Sequence, residues 1–265
     1  MLCNDPFVTV LKSFGYNLIR LPKADVRPLQ ILARQGGDLT RLGELSELLV
    51  AGSDIPLPSM SENTRAANIS GQRTSDLSLG VALTILGNVL SAMGGSKLGL
   101  DSTYQQAKTA AFEFQDVLED KVDIVKLDKY LGNADVSPFS RYVADLLEAD
   151  EIFVTTATIK STKFTLEAKT SDTASLEVSI PVIQNIVGGN VKVSGTSSTT
   201  SKLTYEGPVP LVFGFQAVRL YYDQGNYTAF EPVGAGEIPM RALPGVPAER
   251  VKPYMTEGAF VRVSS

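Results

Sequence analysis

The chain carries a single thiol, Cys3, and no histidine to activate it. Without an imidazole the usual general base and the commonest metal ligand are both missing. That removes Ser-His-Asp hydrolysis, Cys-His chemistry and the ordinary zinc sites. No G-x-S-x-G, S-x-x-K, Walker loop or G-x-G-x-x-G occurs, so nucleophile elbows, phosphate cradles and dinucleotide sites are excluded as well. Enzymatic catalysis is not expected, and neither is a bound metal or cofactor. A lone cysteine cannot close an intrachain disulfide. Cys3 is therefore either an inert terminal thiol or the acceptor of a covalent group.

The elements around Cys3 bear on that choice. Asp5 followed by Pro6 reads as an N-cap with proline at the first helical position, and Phe7, Val10, Leu11 and Phe14 follow at i, i+3, i+4 and i+7 before Gly15. The spacing predicts a short docked helix with Cys3 just ahead of its apolar face, along which an acyl group on the sulfur would lie. Asp5 and Lys12 interrupt any hydrophobic signal core, so a cytoplasmic chain is expected. A net charge of −5 and a pI near 5.0 argue against a nucleic-acid partner, whose footprint is basic.

The largest pattern lies between Glu151 and Tyr222. Phe164, Leu166 and Ala168 alternate with Lys163, Thr165, Glu167 and Lys169, and Leu176, Val178 and Ile180 alternate with Glu177 and Ser179. Period-two alternation predicts antiparallel strands with one apolar and one polar face. Because the polar positions are mostly Ser and Thr, such strands suit a half-buried sheet in water or a barrel wall between lipid and an aqueous lumen. Ala110, Phe112 and Phe114 alternate in the same way with Ala111, Glu113 and Gln115.

Elsewhere NLIRLP and RPLQILARQ read as strands, an apolar segment runs from Leu45 to Val50, and Gly52 to Thr74 reads as a polar surface loop. Leu77 to Ser96 is free of charge for roughly 20 residues, the length of a membrane-spanning helix. Its four glycines, with Ser78, Thr84, Asn88 and Ser91, dilute it to a buried helix. Two further helices are expected. One runs from Val122 to Leu131 with Gly132 as its C′ residue; the other restarts at Ser137-Pro138 with Phe139, Tyr142, Val143, Leu146 and Leu147 facing the core. Five prolines and three glycines between Pro232 and Pro253 mark a linker. It ends in an apolar tail, Tyr254, Met255, Phe260, Val261 and Val263, that is expected to dock back on the body.

The order and texture of these parts resemble a gasdermin pore-forming domain. IFVTTATIKSTKFTLEAK, SLEVSIPV, a polar hairpin and SKLTYEGPVPLVFGFQAVRLYYDQG are similar to its second half, Ser75 to Leu118 to its first amphipathic hairpin, and GYNLIRLPKADVRPLQILAR to its opening helix-to-strand passage. With only a linker and a short tail after that domain, the chain is similar to the bacterial gasdermins. The resemblance implies an α+β fold with a central twisted antiparallel sheet and surrounding helices. It divides the chain into a pore-forming domain at 1–231, a cleavable linker at 232–253 and an autoinhibitory peptide at 254–265.

It also implies a mechanism. An acyl chain such as palmitoyl sits on Cys3, and a caspase-like protease cuts the linker, with Arg241, Leu243 and Arg250 as candidate sites. The freed domain passes from the cytoplasm to the inner membrane, meets lipid, and self-assembles into a large β-barrel pore that kills the cell in antiphage defence. Phe112, Phe114, Phe164, Leu166, Ala168, Leu203 and Tyr205 are the expected membrane-inserting positions. The alternative is a lipid-anchored cytoplasmic scaffold that never inserts, its tail serving as a strand for a partner.

Overall fold

The structure is a computed structural model that describes residues 14–23, 25–35, 38–52, 54–66, 77–78, 109–136, 141–169, 192–195, 202–233 and 263–264. Cys3 and the helix expected to follow it up to residue 13, residues 79–96, SLEVSIPV, Phe139 and the candidate cleavage sites all lie outside the described residues.

Two long strands form the spine, β10 (Ile152–Lys169) and β12 (Lys202–Asp223). At 18 and 22 residues they far exceed the common strand of about 5–6 residues. They pair antiparallel from Phe153↔Arg219 to Glu167↔Lys202. Short strands cover their outer edges in succession. Along β10 these are β2 (Gln30–Gln35), β8 (Leu118–Val122) and β7 (Thr109–Gln115). Along β12 they are β13 (Asn226–Val233), β1 (Asn17–Lys23) and β11 (Lys192–Gly195).

The sheet extends through β3 (Asp38–Glu44) to β14 (Val263–Ser264), with β5 (Met60–Arg65) on β8 and β6 (Leu77–Ser78) on β7. A small second sheet pairs β4 (Leu49–Ala51) with β9 (Ala134–Val136). Three helices are described: α1 (Leu45–Leu48), α2 (Ile124–Leu131) and α3 (Arg141–Glu148).

In its first half β10 is buried on both faces, so alternation there does not separate core from water. Ile152 and Val154 join Val218, Leu220 and Tyr222 in a cluster with Leu127, Leu131, Val143 and Leu147 from α2 and α3. Phe153 packs on the opposite face with Phe215, Ala217, Leu32 and Val26. Gly214 lies between Leu18 and Ile159. A Cβ there would stand 2.7 Å from Ile159 Cδ1, so glycine is what lets this isoleucine cross the sheet.

Several expectations are corrected. Gly52 to Thr74 contains strand β5, which pairs with β8 and exposes nearly every residue. With no buried face, MSENTR has no apolar alternation to read. The expected helix at Leu77 begins as strand, since Leu77 and Ser78 pair with Ala110 and Thr109.

Helix α2 starts as expected, Asp123 accepting from the Val125 and Lys126 amides at 2.9 and 3.2 Å. Gly132, however, is right-handed at φ −67, not a left-handed C′ residue. The Asn133 side chain instead donates to Lys129 O at 2.8 Å and satisfies a terminal carbonyl. On α3 only Val143 and Leu147 are buried, while Tyr142 is 53% exposed; the apolar stripe of this short helix is narrower than its sequence. Strand β13 runs on through Pro232 and Val233, the start of the expected linker. Proline is tolerated there because, among the described residues, β13 lies at the sheet edge and bonds to β12 alone.

Candidate functional site

Beyond Ser161 the spine carries a blade of strands β6, β7, β10, β12 and β11, and its register sorts the candidate residues. Phe164 stands opposite Phe114 on one side and Tyr205 on the other, and Leu166 opposite Phe112 and Leu203. Ala168 pairs with Ala110, which in turn pairs with Leu77. All seven expected inserting positions therefore occupy one set of cross-strand rows. The Phe114 and Phe164 rings lie 6.2 Å apart, and Phe114 stacks on Phe213 of the body at 3.8 Å. Phe114, Phe164 and Phe213 are all buried. The apolar rows at this end of the blade are thus covered here, as hydrophobic burial demands.

The intervening positions are polar but not simply wet. Thr165 is 3% exposed. Its Oγ1 lies 3.0 Å from the Thr204 hydroxyl and accepts from Gln115 Nε2 at 3.0 Å. The expectation that Thr165 faces water is corrected: neighbouring strands, in place of solvent, satisfy its hydroxyl.

The blade joins the body along a transverse line where all three neighbouring strands lose regularity. On β10 the register shifts between Ser161 and Lys163. On β12 the four residues Gly207 to Pro210 stand against the single Thr162. Between β7 and β8 lies Asp116 at φ 49. Bulges bend strands and interrupt ladders, and Pro208 and Pro210 lack amide donors. Ser161 fills part of the deficit, its hydroxyl donating to the carbonyl of Gln115 or Lys163 (2.5 and 2.6 Å) and accepting from the Lys163 amide at 3.0 Å.

Just on the body side of this line is a cluster that the sequence did not announce. Lys160 Nζ meets Asp120 Oδ2 at 2.5 Å, with the side chains 13% and 10% exposed. Asp120 Oδ1 also accepts from the amide of Asn63, a left-handed residue of β5 at φ 56. One carboxylate thus ties β5, β8 and β10 together. Tyr16 donates to the neighbouring Glu119, and burial first, that bond second, push its phenol well above the ordinary tyrosine range.

A buried pair gains little over apolar packing, but breaking it is costly. Asp120→Ala is expected to lower unfolding free energy by about 3–5 kcal/mol, with Asp120→Leu/Lys160→Met recovering most of the loss. Urea denaturation of the purified variants measures both, and a single variant as stable as the double would contradict the role given to the pair.

Of the expected tail residues, Val263 is described. Strand β14 pairs in parallel with β3, Val263↔Leu39 and Ser264↔Thr40, and its Cα atoms also come within 8 Å of β1. Among the described residues no group of side chains could hold a metal ion, and no helix is long and apolar enough to cross a membrane. The latter says nothing of strands.

Three comparisons bear on this arrangement. The Bacterial Gasdermin Family matches residues 19–226. A gasdermin of a Desulfuromonadales bacterium is 66% identical over 264 residues, covering 100% of this chain and 99% of its own. One from Lysobacter enzymogenes is 41% identical over 252 residues, covering 95% and 90%. In structure the chain is similar to a bacterial gasdermin from Bradyrhizobium tropiciagri with a TM-score of 0.60 over 86% of this chain and 92% of that one, a likeness of fold at 16% identity. With that match over most of its length and 66% identity to a full-length relative, the chain belongs to the bacterial gasdermin family.

Proposed function

We propose that this chain is an autoinhibited pore-former that proteolysis in the linker switches on. Membership of the gasdermin family implies a pore-forming, membrane-inserting protein. The finer reading is that a caspase-like protease cuts near Arg241, Leu243 or Arg250 and the tail from Tyr254 onward leaves. Blades of many subunits then lengthen into hairpins that close as a barrel. Closure is obligatory in lipid, because an open edge leaves backbone groups unpaired at several kcal/mol each. The chain would be cytoplasmic until cut and would then breach the inner membrane, killing the cell in defence against phage.

The observation that best supports this reading is the register of the blade, which gathers Phe112, Phe114, Phe164, Leu166, Ala168, Leu203 and Tyr205 in one set of rows and, apart from Ala111, polar and charged residues in the other. Cys3 enters the reading as an acyl acceptor. Each buried methylene contributes about 0.8 kcal/mol, so palmitoyl adds roughly 1.6 kcal/mol over a marginally binding myristoyl chain; it assists membrane contact without being a firm anchor.

The test is dye release from liposomes after limited proteolysis of the full chain. Rapid release is expected, and a lipid-anchored scaffold would give none. In the same assay natively produced protein should show the mass of one long acyl chain and outperform Cys3→Ala. An unmodified mass with equal release by the variant would remove the acyl group from the mechanism.

A further inference from the structure

Strands β7 and β8 lie on β10 in a single register although they are separate strands. Gln115 stands opposite Lys163 at the end of β7, and Leu118 opposite Lys160 at the start of β8. Between those pairs two residues, Asp116 and Val117, face two, Ser161 and Thr162. The count is equal, so nothing needs to slip for the two strands to become one. What parts them is the backbone of Asp116, left-handed at φ 49, where an antiparallel strand has about −140°. The Ser161 hydroxyl spans the gap to the Gln115 carbonyl, and Ala66 donates its amide to Val117 O at 3.0 Å. The β12 side of β10 is different. There Gly207 to Pro210 set four residues against one, and Pro208 and Pro210 have no amide to give a ladder. No single dihedral change restores register on that side.

We propose that Asp116 is the conformational switch of the blade: its change from left-handed to extended fuses β7 and β8 into one strand, while Gly207 to Pro210 stay as a fixed bend on the other side of β10. This deepens the pore-forming reading above and rests on it. A tilted strand that crosses a bilayer needs about 9–11 residues, and β7 is described over seven. The two residues of the joint and the five of β8 carry the fused strand past that length. Aspartate suits the position. It is among the few L residues that enter the left-handed region readily, yet unlike glycine it keeps a Cβ that favours return. Glycine would make the break comfortable, and a β-branched residue would make it untenable. The Asp116 side chain is exposed, so substitutions there act through the backbone and not through lost packing. Buried Val117 and the Asp120–Lys160 pair anchor β8 beside it. The turn of one residue therefore re-aims β7 and leaves the body intact.

The experiment follows dye release from liposomes after limited proteolysis of the full chain and compares half-times at equal protein and protease. Asp116→Val is expected to shorten the half-time several-fold and Asp116→Gly to lengthen it several-fold. Asp116→Asn, which keeps the left-handed preference and removes the charge, should stay near the native value. Leu147→Ala, in the buried cluster beside α2 and α3, lowers stability without touching the joint and should also stay near it. If general loss of stability set the rate, Leu147→Ala would speed release as Asp116→Val does. That result, or rates out of this order, overturns the switch while leaving pore formation standing. Where Asp116→Val fails to fold, Asp116→Gly, which relaxes the backbone, decides alone: release at the native rate overturns the switch. No release from the cut native chain overturns the pore-forming reading and this inference with it.

Discussion

Leu166→Arg is expected to abolish dye release after proteolysis, while Glu206→Gln leaves it close to the native level. Leu166 sits in the register row with Phe112 and Leu203, midway along the described apolar rows of the blade. An arginine on the lipid face costs about 2–4 kcal/mol per subunit at the bilayer midplane, and closure of a ring multiplies that cost by the number of subunits. Glu206 is exposed and lies in the alternate rows, where a neutral amide meets water in either state. Thr165, adjacent in sequence, is the wrong control, because its hydroxyl bonds to both Gln115 and Thr204 and any change there disturbs the sheet before insertion. Near-ultraviolet circular dichroism establishes that each variant is folded before cleavage. Equal release by two folded variants would show that the apolar rows do not enter lipid.

Ending the chain after Leu243 is expected to make it toxic with no protease present, whereas the full-length chain is silent. Among the described residues, strand β14 pairs with β3 at Val263 and Ser264. Burying larger apolar side chains such as Tyr254, Met255 and Phe260 would yield about 1.5–3 kcal/mol each. Ordering some ten residues costs roughly 1–2 kcal/mol apiece. The net affinity is therefore modest. While tethered, the tail sees an effective concentration around millimolar, enough to keep it docked even with a dissociation constant of tens of micromolar. Once cut it is diluted and leaves. Growth of cells induced for each form decides the matter: a folded truncated chain as harmless as the full-length one would mean the tail is no inhibitor.

Legibility in the sequence followed the length and one-sidedness of each element. Strand β10 was plain from Lys163 to Lys169, where alternation holds, and Phe164 and Leu166 share a face by their parity, whereas the register that joins them to Phe112 and Leu203 is set by long-range pairing. Strand β5 was hidden because it buries nothing, and the end of α2 was misread because Gly132 was given a role that the Asn133 amide performs. Lys160 and Asp120 meet only through long-range pairing, so no local spacing announces them. The break between blade and body left one trace, Pro208 and Pro210 inside a strand pattern, and two prolines in a central strand are a recognisable mark of a bulge.

The late position of β12 also governs how the molecule is made. Among the described residues, strand β1, near the start of the chain, has β12 as its one ladder partner, and β10 finds most of its own there too. No part of the spine can close until residues 202–223 have left the ribosome. Val263 follows Asp223 by only 40 residues (263 − 223), which at about 5–20 residues per second takes roughly 2–8 s. Sheets dominated by distant pairings fold in milliseconds to seconds. The tail therefore emerges on the same timescale as the sheet it will meet, so the newly made protein spends little time assembled but unrestrained. A synonymous change to slow codons between Asp223 and Val263 would lengthen that interval without altering a single side chain.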